Sequence, residues 1–535
     1  MFSPDLSKLL GPNAGFYELA FILLVAFCIL CTLFARKSTD HIPGPFLARW
    51  TTLWLAYQAY RGRRYKAVHA AHLRYGTVVR IAPNHVSVAS PEALSVIYGQ
   101  GPRAPAKSPF YDSFVCNGKP SLFSTRDRQD HSTKRRAVSH AFSSAALQEF
   151  IPLIHSTVGE FTQRMDEFCA KRDYFDALLW FNYLAFDVLS DLAFGERIGM
   201  LKQGSDLVEI HQAGNPSVHE NAIALVDEVQ TLTTFILTGL HLKKREHLAA
   251  VVGIHPFLQM VVNSLPFLSG NKATSGLEEL GRRQVLKRLL SGDNRNDILG
   301  KLIAARGYDV RSPNDDEIAE LTAEAVTLLI AGSDTTSNSI AATLHFIVTN
   351  PRVHTKLLGF LLEASSDQNK LSYEQAKDVP YLQATINEGL RLHSTTAIGL
   401  HRSAPLGGLV CCGHFFPEGT ELSVPAWTIG HDAELWGDPE VFRPERWLEG
   451  KEKRQYLLAF GKGPRACIGQ KQVFVFFDPQ RLLISNLYSL AYMEMITVLA
   501  TILLRYKVEV RSSELETTEG FMHKPLHCWI RLNFR

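Results

Sequence analysis

The sequence predicts a mainly α-helical chain with small β-sheets, joined to one N-terminal transmembrane helix, and three patterns carry that prediction. The longest run of helical periodicity spans residues 313–350. Residues 399–424 read as short strands separated by glycines and Pro417. Residues 16–35 are nearly all apolar and long enough to cross a bilayer at about 1.5 Å per residue.

Residues 1–41 divide off as anchor and hinge. Glu18 is the only charge in the apolar run, and Arg36 with Lys37 follows at once, which sets the downstream chain on the cytoplasmic side. A cleaved signal peptide would need a basic start and a small-residue cleavage site. The start carries only Lys8 against Asp5, and no such site precedes Arg36, so an uncleaved anchor is expected. Ile42-Pro43-Gly44-Pro45 then makes a stiff, non-helical connector. Mean hydropathy near zero excludes a polytopic membrane protein, and a net charge of +3 gives no case for nucleic acid. The eight cysteines have no regular spacing: Cys28 and Cys31 lie in the apolar run, and Cys411 and Cys412 are adjacent. That is neither a disulfide framework nor a zinc pattern, and a reducing compartment is the simpler reading.

Further along, residues 126–142 read as a helix on which His131 and Arg135, four apart, share a face, with Lys134 and Arg136 on others. A solvated basic helix is the alternative. Residues 158–311 keep helical periodicity but name little chemistry. Their apolar stretch 251–268 is interrupted by Pro256 and Pro266, too broken for a standard spanning helix. Asp315, Asp316 and Glu317 crowd the start of the long helix, as its dipole prefers, and Pro351 ends it. At its middle, Gly332 and Thr335 are poor interior helix residues, and the Thr335 hydroxyl is positioned to bond back to the Ala331 carbonyl and bend the helix. Glu388 and Arg391 fall three apart on a helix over residues 381–392.

Residues 460–469 hold one cysteine, Cys467, among Gly461, Gly463, Pro464 and Gly469. Glycines allow turn dihedrals and close approach to something flat. Arg465 offers a planar fork of donors to a carboxylate, and a nearby cation with turn N–H groups would favour Cys467 as the metal-binding thiolate.

Phe460, Gly463, Arg465, Cys467 and Gly469 fill every fixed position of a pattern that resembles the haem-ligand loop of the cytochrome P450 family, the haem-thiolate monooxygenases. The resemblance implies the P450 fold for residues 42–535, a haem b whose iron takes the Cys467 thiolate as axial ligand, and haem contacts from Phe460 and Gly469. Residues 331–336, Ala-Gly-Ser-Asp-Thr-Thr, match the family's oxygen-binding groove. Ala331 then lies at the haem, while Asp334 and Thr335 are the acid and alcohol of proton delivery. By the same resemblance Arg135, Arg402 and Arg465 bind the haem propionates, and so does His131, which stands where tryptophan often does. Glu388 and Arg391, joined by Arg446 from residues 442–447, become a buried structural triad. Residues 251–268 fall where the family places its lid; a core helix pair fits them equally.

Residues 125–128, 391–395, 442–447 and 520–525 look like the fungal benzoate para-hydroxylase class of this family. That implies a small aromatic or apolar substrate, O2, and a single-pass anchor in the endoplasmic reticulum membrane. Electrons are expected from NADPH–cytochrome P450 reductase, because the sequence holds no nucleotide-binding fingerprint. Lys134, Arg136 and Lys462 are candidate contacts for that reductase, or simply a solvated face. Tailoring of a larger secondary metabolite is the alternative activity. The sequence departs from the family at residues 471–489, an apolar insert expected to displace the helix that should start beside the cysteine. A translated intron would explain it, and the chain would then be a non-catalytic haem protein or inactive splice form.

Overall fold

Capping chemistry sets the frame. In the computed structural model the Asn314 side chain accepts the Glu317 N–H at 2.9 Å while the Glu317 carboxylate accepts the Asn314 N–H at 3.1 Å. This reciprocal box starts a helix that runs unbroken over Asp315–Thr349 and stops where Pro351 opens the next. The structure describes residues 39–116, 118–210, 217–237, 271–292, 295–307, 313–365, 371–470 and 489–535. The apolar run 16–35, the stretch 251–268 and residues 471–488 of the insert lie outside them.

Among the described residues, the helices that position the site are α1 (Pro91–Tyr98), α2 (Arg128–Ala141), α3 (Ala177–Phe194), α4 (Ala222–Leu237), α5 (Asp315–Thr349), α6 (Pro380–Leu392) and α7 (Leu490–Arg505). Helix α3 has the length and apolarity of a membrane span, yet 89% of it is buried against protein, so it is a core helix. It packs on α5, and the main core gathers around α3, α5 and α7.

A five-stranded sheet in the order β1-β2-β10-β7-β3 flanks this core, formed by Val78–Ala82, His85–Val88, Glu421–Ser423, Arg402–Ser403 and Ala106–Lys107. Strand β10 runs parallel to β2 and the other pairs are antiparallel. The β3–β7 register sets Lys107 directly opposite Arg402. Smaller pieces are β11-β14-β4 (Tyr506–Val510, Trp529–Phe534, Phe175–Asp176) and the hairpins β5–β6 (Leu207–Ile210, Val218–Asn221), β8–β9 (Leu409–Cys411, His414–Phe416) and β12–β13 (Thr517–Glu519, His523–Pro525). The expected mainly helical chain with small sheets is the observed one.

One expectation gains a contact and another is corrected. The 42–45 connector is docked: Pro43 O accepts the Arg80 N–H of β1 at 2.8 Å, Ile42 is buried, and a Cβ on Gly44 would meet Arg80 O at 2.1 Å. The insert does not displace the helix after it, because α7 begins at Leu490 and the Ser489 hydroxyl donates to the Gly469 carbonyl. The two ends of the insert therefore meet, and Tyr492 of α7 stacks on Phe460, ring centroids 5.4 Å apart.

The triad of Glu388, Arg391 and Arg446 is buried and fuller than expected. Glu388 accepts from Arg391 Nε and Nη2 at 2.9 Å, Arg446 Nε at 3.0 Å, Trp447 Nε1 at 2.9 Å and the Arg443 N–H at 3.0 Å. Both guanidinium groups then donate to carbonyls of Gly430, Pro439, Trp436 and Asp438. Glu388→Gln keeps the shape but leaves buried Arg391 without a carboxylate and Arg446 with Asp438 alone, and is expected to lower stability by about 3–5 kcal/mol. Denaturant unfolding of the purified variant measures it; a change within error of wild type would refute the account.

Buried histidines add a pH dependence. Burial pushes His72 down to about 4, and His85, His393 and His431 down to about 3. His72 holds Ser87 and Gly76 O, His85 holds Ser423, and His431 stacks on Trp427. Each has a folded pKa below its unfolded value, so the unfolded chain binds more protons. Stability is complete above about pH 6.5 and falls as pH drops toward 3, by up to about 1.4 kcal/mol per pH unit per group. Unfolding midpoints between pH 7 and 4.5 check this; a flat profile would contradict it.

Candidate active site

The loop of residues 460–469 is built on two glycines that no other residue could replace cheaply. Gly461 and Gly463 have φ of 66° and 70°, and a Cβ on Gly463 would lie 1.8 Å from Tyr98 O. The Cys467 N–H closes the loop on Phe460 O at 2.8 Å. Cys467 retains accessible surface although protein surrounds it densely enough that burial raises its thiol pKa. Those two facts agree when the sulfur opens onto an interior space. The N–H groups of Gly469 and Gln470 and the Arg135 guanidinium pull the other way, toward thiolate. The cation acting on Cys467 is therefore Arg135 and not Arg465. Arg465 instead donates to the carbonyls of Thr125, Arg126 and Asp127 at 3.2–3.3 Å, pinning the loop to the start of α2.

Positive charge converges beside this loop. His131, Arg135, Arg402 and Arg465 line one cavity of about 640 Å³, with Arg128 and Arg136 at its wall. Lys107 acts electrostatically on the same group. Burial, then the Arg465 and Arg402 charges, pushes Lys107 down to about 6. Burial and the same cations push His131 down to about 3, and burial with Arg402 brings Arg465 to about 10. The opposing carboxylates are already engaged: Glu324 accepts the Leu122 N–H, and Asp127 caps α2 through the Asp130 N–H. Like charges held this close in a partly desolvated space call for an anion from outside the chain.

Helix α5 crosses the core with one uncovered stripe. Leu328, Ala331, Gly332 and Thr335 are exposed or half-buried while Ser333, Asp334, Thr336 and Ser337 are buried. The spacing of three and four residues places the uncovered set on one face. Thr335 Oγ1 donates to Ala331 O at 2.7 Å, as expected. Gly332 has a packing reason instead of a hinge role, since a Cβ there would lie 2.8 Å from Leu189 Cδ1 of α3 and the helix is continuous through it. Asp334 points away from the stripe and accepts from Gln230 Nε2 at 2.8 Å. Burial raises its pKa, Lys524 and Gln230 oppose that, and Asp227 adds to it. Ala331, Asp334, Thr335 and Cys467 are not among the residues lining the cationic cavity.

Sequence reasoning missed Lys107 and Gln230. Neither belongs to a local pattern: the β3–β7 pairing brings Lys107 to Arg402, and α4 brings Gln230 to Asp334. Of the candidate reductase contacts, Lys134 is withdrawn, being 2% exposed and paired with Glu320, Glu324 and Asp130. Arg136 is exposed and Lys462 half-buried. Next to Arg402, which donates to Tyr111 OH at 2.9 Å, Phe110, Tyr111, Phe521 and Met522 form a buried cluster against Phe114, Phe123 and Leu400. Rings of Phe114 and Phe521 lie 4.8 Å apart, and those of Phe114 and Phe123 5.1 Å.

Comparison with known proteins agrees with this geometry. The family model described as Cytochrome P450 matches residues 42–472. Benzoate 4-monooxygenase bphA of Aspergillus niger is 36% identical over 556 residues, covering 99% of both chains. Pisatin demethylase of Fusarium vanettenii is 31% identical over 465 residues, 84% of this chain and 83% of its own. Cytochrome P450 monooxygenase BOT4 of Botryotinia fuckeliana is 30% identical over 541 residues, covering 96% and 91%.

Proposed function

The chain belongs to the cytochrome P450 family, and from that premise we propose that it hydroxylates a small aromatic molecule of the benzoate type, with Cys467 as its iron ligand. Members of the family are monooxygenases that act on a small-molecule substrate with O2, through a haem held by a cysteine thiolate. The residues present fit that group. An uncompensated set of Lys107, His131, Arg135, Arg402 and Arg465 suits two propionates, and Cys467 opens onto interior space. When bound, the haem supplies oxygen activation, which thiolate ligation favours.

The protein's own groups do the rest. Arg135, Arg402, Arg465 and Lys107 hold the carboxylate edge, with neutral His131 as a hydrogen-bond partner. Phe460 and Gly469 frame the thiolate, whose negative charge Arg135 and the loop N–H groups stabilise. Ala331 leaves room on the open face of α5. The Thr335 hydroxyl, anchored to Ala331 O, accepts and passes a proton there, and the Asp334 carboxyl behind it, whose pKa burial raises, is the acid of that relay. Electrons come from NADPH–cytochrome P450 reductase docking on the Arg136 face. Residues 16–35 anchor the chain in the endoplasmic reticulum membrane.

The aromatic substrate is supported by the name of the 36% identical relative and by the Phe110–Phe114–Phe123–Phe521 cluster. Tailoring of a larger metabolite is the second reading, favoured by the likeness to pisatin demethylase. The observation carrying the main reading is Cys467 under the joint influence of Arg135 and the loop N–H groups. Purified wild type is expected to hold one haem per chain, to give the thiolate-type spectrum when reduced under carbon monoxide, and to shift its spectrum with benzoate. Cys467→Ala is expected to lose the thiolate-type band and hydroxylation; retention of both would end this reading.

The insert generates a separate expectation. The family match stops at residue 472, and Ser489 closes back on Gly469. A translated intron remains our reading of the insert at residues 471–489. Joining Gln470 directly to Ser489 is expected to preserve or raise haem content relative to the full chain. Loss of haem on deletion, with the full chain loaded, would reverse the reading.

A further inference from the structure

Cys411 and Cys412 show no zinc pattern along the chain, but the fold brings a third donor to them. Both lie at the tip of the β8–β9 hairpin, whose register pairs Cys411 with His414 and leaves Cys412-Gly413 as a two-residue turn. Both turn residues have positive φ, 49° for Cys412 and 74° for Gly413. Asn, Asp or Gly normally takes such positions, and a cysteine there is strained. Strain of this kind is retained where something else uses the residue.

The geometry around the strained residue is that of a ligand set. The two sulfur atoms lie 3.7 Å apart. A disulfide would need about 2.05 Å, whereas two thiolates at about 2.3 Å from a tetrahedral zinc lie about 3.8 Å apart. Glu92, in the first turn of α1, accepts the Cys412 N–H at 3.3 Å. One ligand atom from each of Glu92, Cys411 and Cys412 falls within 4.8 Å of the others. Cys411 is buried, Cys412 half-buried and Glu92 exposed, so an ion could enter from solvent and find one side already dry.

We propose that Glu92, Cys411 and Cys412 form a surface site for a thiophilic divalent cation of the zinc class, distinct from the haem site, which clips the β8–β9 hairpin to α1. Each thiol gives up its proton to solvent as the metal–sulfur bond forms, and water completes the tetrahedron. No redox step is involved.

The test uses reduced, metal-stripped holoenzyme titrated with Zn²⁺ alone against a chromophoric chelator, with haem content as the control for folding. Wild type is expected to take one more zinc per chain than Cys412→Asn, a variant whose side chain suits the turn and should leave haem content unchanged. Glu92→Gln is expected to bind that ion at least tenfold more weakly. It carries the test should the cysteine variant not fold. Zinc should raise the wild-type melting temperature alone and release about two protons per ion in weak buffer. Equal uptake by wild type and Cys412→Asn, whether both bind or neither does, overturns the proposal. So does an unchanged affinity in Glu92→Gln, or a pair that oxidises to a disulfide and takes no zinc.

Discussion

One carboxylate, on Glu388, ties the helical core to the chain that leads into the cysteine loop. It sits on α6 with no exposed surface and accepts from two guanidinium groups, an indole and a backbone N–H. Such a charge is tolerable in the interior only because every lone pair is used and each arginine has further carbonyls to hold. Apart from Arg391, the donors come from residues 443–447, so satisfying Glu388 also fixes the path of the chain just before residues 460–469. Trp436 and Trp447 pack beside it and keep water out.

The cationic cavity is organised on the opposite principle. Around Glu388 positive and negative charge balance within the protein; around Lys107, Arg135, Arg402 and Arg465 they do not. The fold forces the crowding, since β3–β7 pairing sets the buried Lys107 amine opposite the buried Arg402 guanidinium and α2 adds two more groups. Secondary structure and core packing hold these side chains together against their repulsion. Helix α5 meets the same requirement from the other side: its close approach to α3, permitted by Gly332, buries one face and leaves Ala331 and Thr335 uncovered.

Much of this was legible because it is local. An acidic first turn, a proline after a helix and a glycine-rich turn around one cysteine each declare themselves within ten residues, and the structure has them at the expected positions. The Thr335 back-bond is a four-residue event and was foreseen for the same reason. What failed was inference about partners. Arg465 looked like the thiolate's cation because it is two residues away, but its fork reaches carbonyls of residues 125–127, and Arg135 does the work. Lys134 looked solvated because its neighbours are charged, yet it is buried among Glu320, Glu324 and Asp130.

By itself, the sequence determined the fold class, the family and which residue types carry the chemistry, because short-range periodicity and a spaced motif are properties of the chain alone. Only the tertiary structure decided which charges face one another, why Gly332 has no side chain, that Gln230 holds Asp334, and that the ends of the insert meet. Those depend on contacts between residues separated by tens to hundreds of positions. Neither hydrophobic pattern nor local propensity constrains such pairings; packing the elements does.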